Sequence, residues 1–168
     1  MSVCIAKLIT IAACCTCTAL GSAGICAAAP SGKLMDMLPQ GFSTANCKEV
    51  DPTPPALERV MCEKSSDPNG PSHAVFLLYA NNDDLAAALQ GVGSSGYTVV
   101  SSCPGGQASP EKWSYGNSGQ TAGQVECATS VENVATVIWT DNTKLRLGVV
   151  EGNGKDIAGL YNWWSAKS

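Results

Sequence analysis

Residues 123–164 read GQVECATSVENVATVIWTDNTKLRLGVVEGNGKDIAGLYNWW. Runs of alternating apolar and polar residues are separated by turn-forming pairs at 132–133 and 141–142, a pattern typical of short antiparallel strands. Asp156 then offers a helix cap, and apolar residues follow at the spacing of one helical face. These residues are Ile157, Leu160, Tyr161 and Trp164. The stretch therefore predicts three antiparallel strands followed by an amphipathic helix.

The same pattern predicts which residues share a face of the sheet, because alternate residues of a strand point to the same side. Two apolar sets result, one in the middle strand and one in the next: Ala135, Val137 and Trp139, and Leu145, Leu147 and Val149. The opposite faces carry a mixed set: Thr136, Ile138, Thr140, Lys144 and Arg146. We expect this mixed set to face solvent.

The residues before this unit predict two further strands and a second helix. Strands are expected at 56–63 and 72–80, separated by a dense turn signal at 67–71. Asn81 and the acidic residues after it begin a helix that runs to about Gln90. We therefore expect an α+β fold, with an antiparallel sheet of about five strands packed by two helices.

Residues 1–29 have the pattern of a secretory signal peptide. An uncharged run follows the single lysine, and small residues at 27–29 precede Pro30, as at a signal-peptidase site. Two alternatives stay open, because the uncharged run is long enough to span a bilayer as an uncleaved anchor and Cys14 follows a lipobox-like stretch. We expect cleavage, which leaves residues 30–168 as a single extracytoplasmic domain that contacts the membrane only if the leader is kept.

Four cysteines follow the leader: Cys47, Cys62, Cys103 and Cys127. In an exported chain of this size they predict two disulfides, for which three pairings are possible. We favour Cys47–Cys62 with Cys103–Cys127, because each of these pairs closes a local loop beside a predicted strand. A zinc site is disfavoured, since no pair has C-x-x-C spacing and the chain has one histidine. We expect no metal.

The chain carries no pattern that predicts catalysis, a cofactor or nucleic-acid binding. Its net charge is −4 and no stripe of Lys or Arg is present, which argues against nucleic acid. His73 has no organised nucleophile or acidic partner in the sequence. Residues 91–96 spell G-x-G-x-x-G, but they follow a predicted helix, whereas a dinucleotide site requires this motif before a helix. We expect no cofactor.

Residues 104–122 predict a long loop or an irregular edge strand rich in Gly, Ser, Pro and Gln. Long loops in compact domains are often functional, and this one carries Trp113 and Tyr115. Trp163 lies beside the apolar stripe of the last helix and is not part of it. These three aromatic residues form the predicted binding surface.

Four motifs resemble a known family: LPQGFSTANC at 38–47, SSCPGG at 101–106, VATVIWTD at 134–141 and DIAGLYNWWS at 156–165. The chain is similar to small extracytoplasmic domains of mycobacteria, which occur as short secreted proteins or lipoproteins and, in related form, as outer domains of some mycobacterial Ser/Thr protein kinases. The resemblance implies an exported α+β module with Cys103 and Cys127 paired, and a sensing or ligand-binding role. The sequence contains no kinase domain, so the kinase link implies a shared scaffold.

Together these features predict a non-catalytic, sensor-like binding module that is secreted or associated with the cell envelope. We expect a monomer whose partner is an envelope ligand or protein. Two alternatives stay open: a small cell-envelope enzyme with carboxylates or His73 in a pocket, and an interaction partner or inhibitor with an exposed apolar patch at Trp113 or Trp163.

Overall fold

The computed structural model describes residues 32–106, 108–116 and 118–168. The predicted leader at 1–29 lies outside these residues. In the described part of the chain, no helix has the length and apolar character needed to cross a bilayer.

Within the described residues, eight strands form one antiparallel sheet, which confirms the α+β class and corrects the expected number of about five. They are β1 (Cys47–Val50), β2 (Glu58–Cys62), β3 (His73–Leu78), β4 (Tyr97–Val99), β5 (Glu111–Trp113), β6 (Gly123–Ser130), β7 (Ala135–Asp141) and β8 (Arg146–Glu151). Their order across the sheet is β1-β2-β3-β8-β7-β6-β4, and β5 also pairs with β6. The additional strands β1, β4 and β5 have three or four residues each, too few to produce an alternating pattern.

Two α-helices begin where the sequence predicts them. Helix α1 spans Asn82–Gln90, and the Asn81 side chain accepts a hydrogen bond from the Asp84 backbone N–H at 2.9 Å. Helix α2 spans Ile157–Lys167, and Asp156 accepts from the Gly159 N–H at 2.9 Å. Each helix therefore has the polar N-cap that satisfies a first-turn donor.

The two helices cover opposite faces of the sheet. Leu160 and Trp164 of α2 share a core with Val137, whereas Leu85 of α1 shares a second core with Ile138. Because consecutive strand residues point to opposite sides, the sheet lies between two apolar layers. The expectation that the mixed face of β7 meets solvent is therefore wrong: Thr136, Ile138 and Thr140 are all buried, on the side that α1 covers.

The β7–β8 hairpin departs from the predicted pattern in a second respect. Leu145 has a φ of +53° in the turn and packs on the α2 side, whereas Leu147 and Val149 pack on the α1 side. Arg146 is opposite Asp141 in the register and is only 1% exposed. Leu145 therefore does not share a face with Leu147 and Val149. Arg146, which was expected to face solvent, lies in the core.

The two disulfides are Cys47–Cys62 and Cys103–Cys127, the favoured pairing. The first joins opposite residues of β1 and β2. In the second, Cys103 lies in the segment that joins β4 to β5. Strand β4 pairs with the C-terminal end of β6 and β5 pairs with its N-terminal end, so this segment passes the middle of β6, where Cys127 lies. This disulfide therefore fastens the loop before β5 to the middle of β6.

Candidate functional site

A cleft of about 280 Å³ opens between the edge strand β5 and helix α2. Its lining residues are Glu111, Lys112, Trp113, Ser114, Tyr115, Gly116, Tyr161, Trp164, Ser165 and Ser168. Small-molecule sites are typically concave and aromatic, with a few polar groups that orient the ligand. We call this feature the aromatic cleft.

Both walls of the aromatic cleft follow from local structure. In the three-residue strand β5, Glu111 and Trp113 alternate with Lys112 and so point to the same side, toward α2. On α2, Tyr161, Trp164 and Ser165 occur at i, i+3 and i+4, which places them on one side of the helix. A strand face and a helix face of this kind meet along one seam.

Four aromatic rings meet in this seam. Trp113 lies 4.8 Å from Tyr115 and 5.8 Å from Trp164 between ring centroids, with interplanar angles of 72° and 81°. Tyr161 and Trp164 are 5.2 Å apart and inclined at 49°. The two edge-to-face pairs of Trp113 contribute about 0.5–1.5 kcal/mol each beyond the area they bury. The rings therefore hold one another in place. We call the angle that the Trp113 ring makes with its neighbours Tyr115 and Trp164 the aromatic corner.

Polar groups of the aromatic cleft differ in how they are satisfied. The Trp113 Nε1–H donates to the Thr140 carbonyl at 2.8 Å. The Tyr161 hydroxyl donates to a Glu111 carboxylate oxygen, and burial together with this contact raises the pKa of Tyr161 well above its ordinary value. The Nε1–H of Trp164 has no hydrogen-bond partner among the described residues, although Trp164 is only 3% exposed. The Ser168 Oγ at the cleft likewise has no partner among these residues, so two buried polar groups there are unsatisfied.

A buried polar network holds Tyr115 at the mouth of the cleft. Its hydroxyl donates to the Asp141 carboxylate and accepts from the Lys144 ammonium at 2.8 Å. Burial would raise the pKa of Asp141, but hydrogen bonds from Tyr115 and Thr143 and the charge of Lys144 lower it below its usual value. Burial and the bond to Asp141 raise the pKa of Tyr115. The Asp141 carboxylate therefore favours its ionised form and orients the Tyr115 ring through the hydrogen bond from its hydroxyl.

Two of the three predicted surface residues belong to the aromatic cleft. Trp113 and Tyr115 lie in it, and Tyr115 is 36% exposed. Trp163 does not, since it is 6% exposed and its ring lies 5.9 Å from Phe42 in the core. The interpretation of Trp163 as an exposed surface residue is wrong, because the segment before β1 packs over that side of α2.

The sequence did not predict Glu111, Tyr161 and Trp164 as cleft residues. Glu111 lies in a strand too short to recognise, and the stripe that contains Tyr161 and Trp164 predicts only burial. One signal was present in the composition of that stripe. Tyrosine and tryptophan combine a large apolar ring with a polar tip, which suits the rim of a core better than its centre.

The only histidine lies away from the aromatic cleft. His73 Nδ1 is 3.9 Å from a Glu151 carboxylate oxygen, and the other oxygen of Glu151 accepts a hydrogen bond from Tyr97 at 3.0 Å. Burial and the nearby Glu151 charge raise the pKa of Tyr97 to about 12. These three residues tie β3, β8 and β4 together. Within the described ranges, no three His, Cys, Asp or Glu side chains are grouped so that they could hold a metal ion.

A larger cleft of about 510 Å³ lies at the N-terminus of α2. Its walls are the loop Pro68–Gly70 and the glycine-rich segment Gly152–Asp156. The Asp156 carboxylate there already accepts from the Gly159 N–H as the helix cap. This cleft is rich in glycine and has no aromatic ring, so it offers fewer side-chain contacts to a ligand than the aromatic cleft.

Comparisons of the chain with protein-family models, with curated proteins and with solved structures find no match. The resemblance to mycobacterial extracytoplasmic domains stays a prediction.

Proposed function

We propose that this protein is a non-catalytic binding module that takes a small ligand in the aromatic cleft. The observation that carries the proposal is the combination of four packed rings with a carboxylate and hydroxyl groups in one concave site. Rings that are already fixed by their neighbours lose little conformational freedom when a ligand binds.

The arrangement of charged groups favours binding over catalysis. General acid–base chemistry requires a proton acceptor or donor positioned at the reacting group, most often histidine. The carboxylate of the cleft, Glu111, is engaged by the Tyr161 hydroxyl, and His73 pairs with Glu151 on another part of the sheet.

We place this module outside the cytoplasm, as a secreted or envelope-associated domain. Two disulfides are typical of proteins in oxidising compartments. The signal-peptide pattern at 1–29 and the resemblance to mycobacterial exported domains support the same location.

The test is a ligand screen read at the four tryptophan side chains. In a ¹⁵N-labelled sample each indole N–H gives its own NMR signal, and single Trp→Phe variants assign the four signals. We expect members of a library of small polar compounds to shift the Trp113 and Trp164 signals and to leave the Trp163 signal in place, because Trp163 lies in the core beside Phe42.

Two results would contradict the proposal. One is a screen in which no compound moves the Trp113 and Trp164 signals. The other is turnover of a screened compound by the purified protein that substitution of a cleft carboxylate abolishes, which would make the site catalytic.

A further inference from the structure

We infer that the ligand of the aromatic cleft is a neutral saccharide, bound through one pyranose ring. This inference rests on the proposed binding function and adds the chemical class of the ligand. It is carried by the charge balance of the cleft, the angle between its rings and the polar groups of its lining.

The charges at the cleft disfavour both an anionic and a cationic ligand. The Glu111 carboxylate lines the cleft and would repel an anion. The Lys112 ammonium also lines the cleft and would repel a cation. At the other end, the Lys144 ammonium lies 5.0 Å from the Tyr115 ring centroid. This ammonium donates to the Tyr115 hydroxyl at 2.8 Å, so it would repel a cationic ligand placed beside that ring.

A purely apolar ligand is disfavoured by the polar groups of the lining. Glu111, Lys112 and Ser165 would lose contact with water without gaining hydrogen bonds, which is costly. A ligand with hydroxyl groups avoids this cost, since each hydroxyl both donates and accepts. The carboxylate can accept from one hydroxyl and the ammonium can donate to another.

The aromatic corner matches the apolar side of a sugar ring. Axial C–H groups give one side of a pyranose an apolar character, while its hydroxyls radiate from the rim. Trp113 stands at 72° to Tyr115 and both rings are partly exposed, so a ring-shaped ligand in the corner can contact both.

The size of the cleft points to a single sugar ring. Its volume of about 280 Å³ lies just below the lower end of sites for drug-sized ligands, which begin at about 300 Å³. The site therefore suits a monosaccharide or the terminal unit of a longer glycan. A free monosaccharide has few atoms, so we expect a dissociation constant on the order of 1 mM.

The experiment titrates the labelled protein with methyl glycosides of glucose, galactose, mannose and N-acetylglucosamine. Choline and inorganic phosphate are the cationic and anionic probes. We expect at least one glycoside to shift the Trp113 and Trp164 indole signals to saturation, with no comparable shift from choline or phosphate.

A matched pair of variants tests the location. Ser165 lines the cleft and Ala166 does not, and both are exposed positions of α2, so neither substitution removes a core contact. Ser165→Tyr places a ring in the cleft, and we expect it to weaken glycoside binding at least about tenfold, while Ala166→Tyr leaves binding unchanged. Retained wild-type signals for Trp139 and Trp163 show that each variant is folded.

The outcomes separate the two proposals. If choline, phosphate or another non-sugar compound shifts the Trp113 and Trp164 signals and no glycoside does, the saccharide inference is overturned and the binding function stands. If neither glycosides nor any library compound shifts them, both are overturned. Glycoside binding that Ser165→Tyr leaves intact would place the sugar elsewhere and also overturn the inference.

Discussion

The ion pair between Asp141 and Arg146 sits in the core beside the aromatic cleft, and its removal is the most informative stability test. The two side chains are 0% and 1% exposed, and Asp141 Oδ2 lies 3.8 Å from Arg146 Nη2. Lys144 approaches the same oxygen at 3.3 Å but is partly exposed. On its other side the guanidinium donates to the Met37 carbonyl.

The perturbation is Asp141→Asn, which keeps the shape of the side chain and removes its charge. The asparagine oxygen can still accept from the backbone N–H groups of Thr143 and Lys144, as Asp141 Oδ1 does. The new amide nitrogen, however, faces the donors of Tyr115 and Arg146, which leaves the guanidinium charge buried without its counter-ion.

The structure sets the expected size of the effect. Removing one member of a buried ion pair typically costs about 3–5 kcal/mol. We expect the lower end, about 3 kcal/mol, because Arg146 keeps the Met37 carbonyl and lies 5.9 Å from the ring centroids of Phe76 and Trp139. That loss is a large share of the roughly 5–15 kcal/mol by which domains are stable.

Urea unfolding at pH 7, followed by tryptophan fluorescence, measures the effect. The set comprises Asp141→Asn, Arg146→Met, the double variant and the exposed control Asp51→Asn, which we expect to change stability by less than about 0.5 kcal/mol. We expect the double variant to lose at least about 1 kcal/mol less than the sum of the single ones. A loss below about 1 kcal/mol for Asp141→Asn, or additive losses in the cycle, would refute the argument that Arg146 depends on this carboxylate.

Two further predictions concern a buried glycine and a buried carboxylate. A Cβ at Gly148 would lie 2.5 Å from Cη2 of Trp139, so Gly148→Ala should lower the free energy of unfolding by about 1–3 kcal/mol. The control Gly154→Ala should not change the stability, because a Cβ there meets no atom within 4 Å. Equal urea midpoints for the two variants would contradict this prediction. Burial raises the pKa of Glu126 in the folded protein. The free energy of unfolding therefore falls as the pH rises from the unfolded-state pKa of Glu126 to its folded-state pKa, because the buried carboxyl group must ionise. Unfolding at several pH values should therefore show that Glu126→Gln stabilises the protein by about 1 kcal/mol at pH 7 and by nothing below about pH 4, with exposed Glu132→Gln as the unaffected control.

Long elements with regular periods could be predicted from the sequence. Helix α2 and strand β7 carry clear periodic patterns, and the structure places them where these patterns indicate. Strand β1 could not be predicted, and for β5 the sequence left a long loop or an irregular edge strand at 104–122 open, because both pairings depend on β2 and β6 and not on their own four and three residues. Short edge strands take their conformation from the neighbour to which they bind.

The burial of polar residues was the harder part to predict. Periodicity tells which residues share a face, but not whether a distant segment covers that face. Ile138 is covered by α1, about fifty residues away in the chain, and Trp163 by the segment that contains Phe42. From the sequence, Arg146 is expected to face solvent. In the structure it lies opposite Asp141 in the β7–β8 pair, and Asp141 also accepts a hydrogen bond from the Thr143 N–H in the hairpin turn.

The end of strand β7 links the core to the aromatic cleft. The backbone carbonyl of Thr140 accepts a hydrogen bond from the Trp113 indole N–H. The carboxylate of Asp141, the next residue, accepts one from the Tyr115 hydroxyl. Two consecutive residues of one strand thus fix two rings of the cleft from behind, and the ion pair to Arg146 fixes Asp141 in turn. A cleft held in this way is pre-organised, so a ligand does not have to order the loop. It follows that Asp141→Asn should weaken ligand binding through the position of Tyr115, even though Asp141 does not line the cleft.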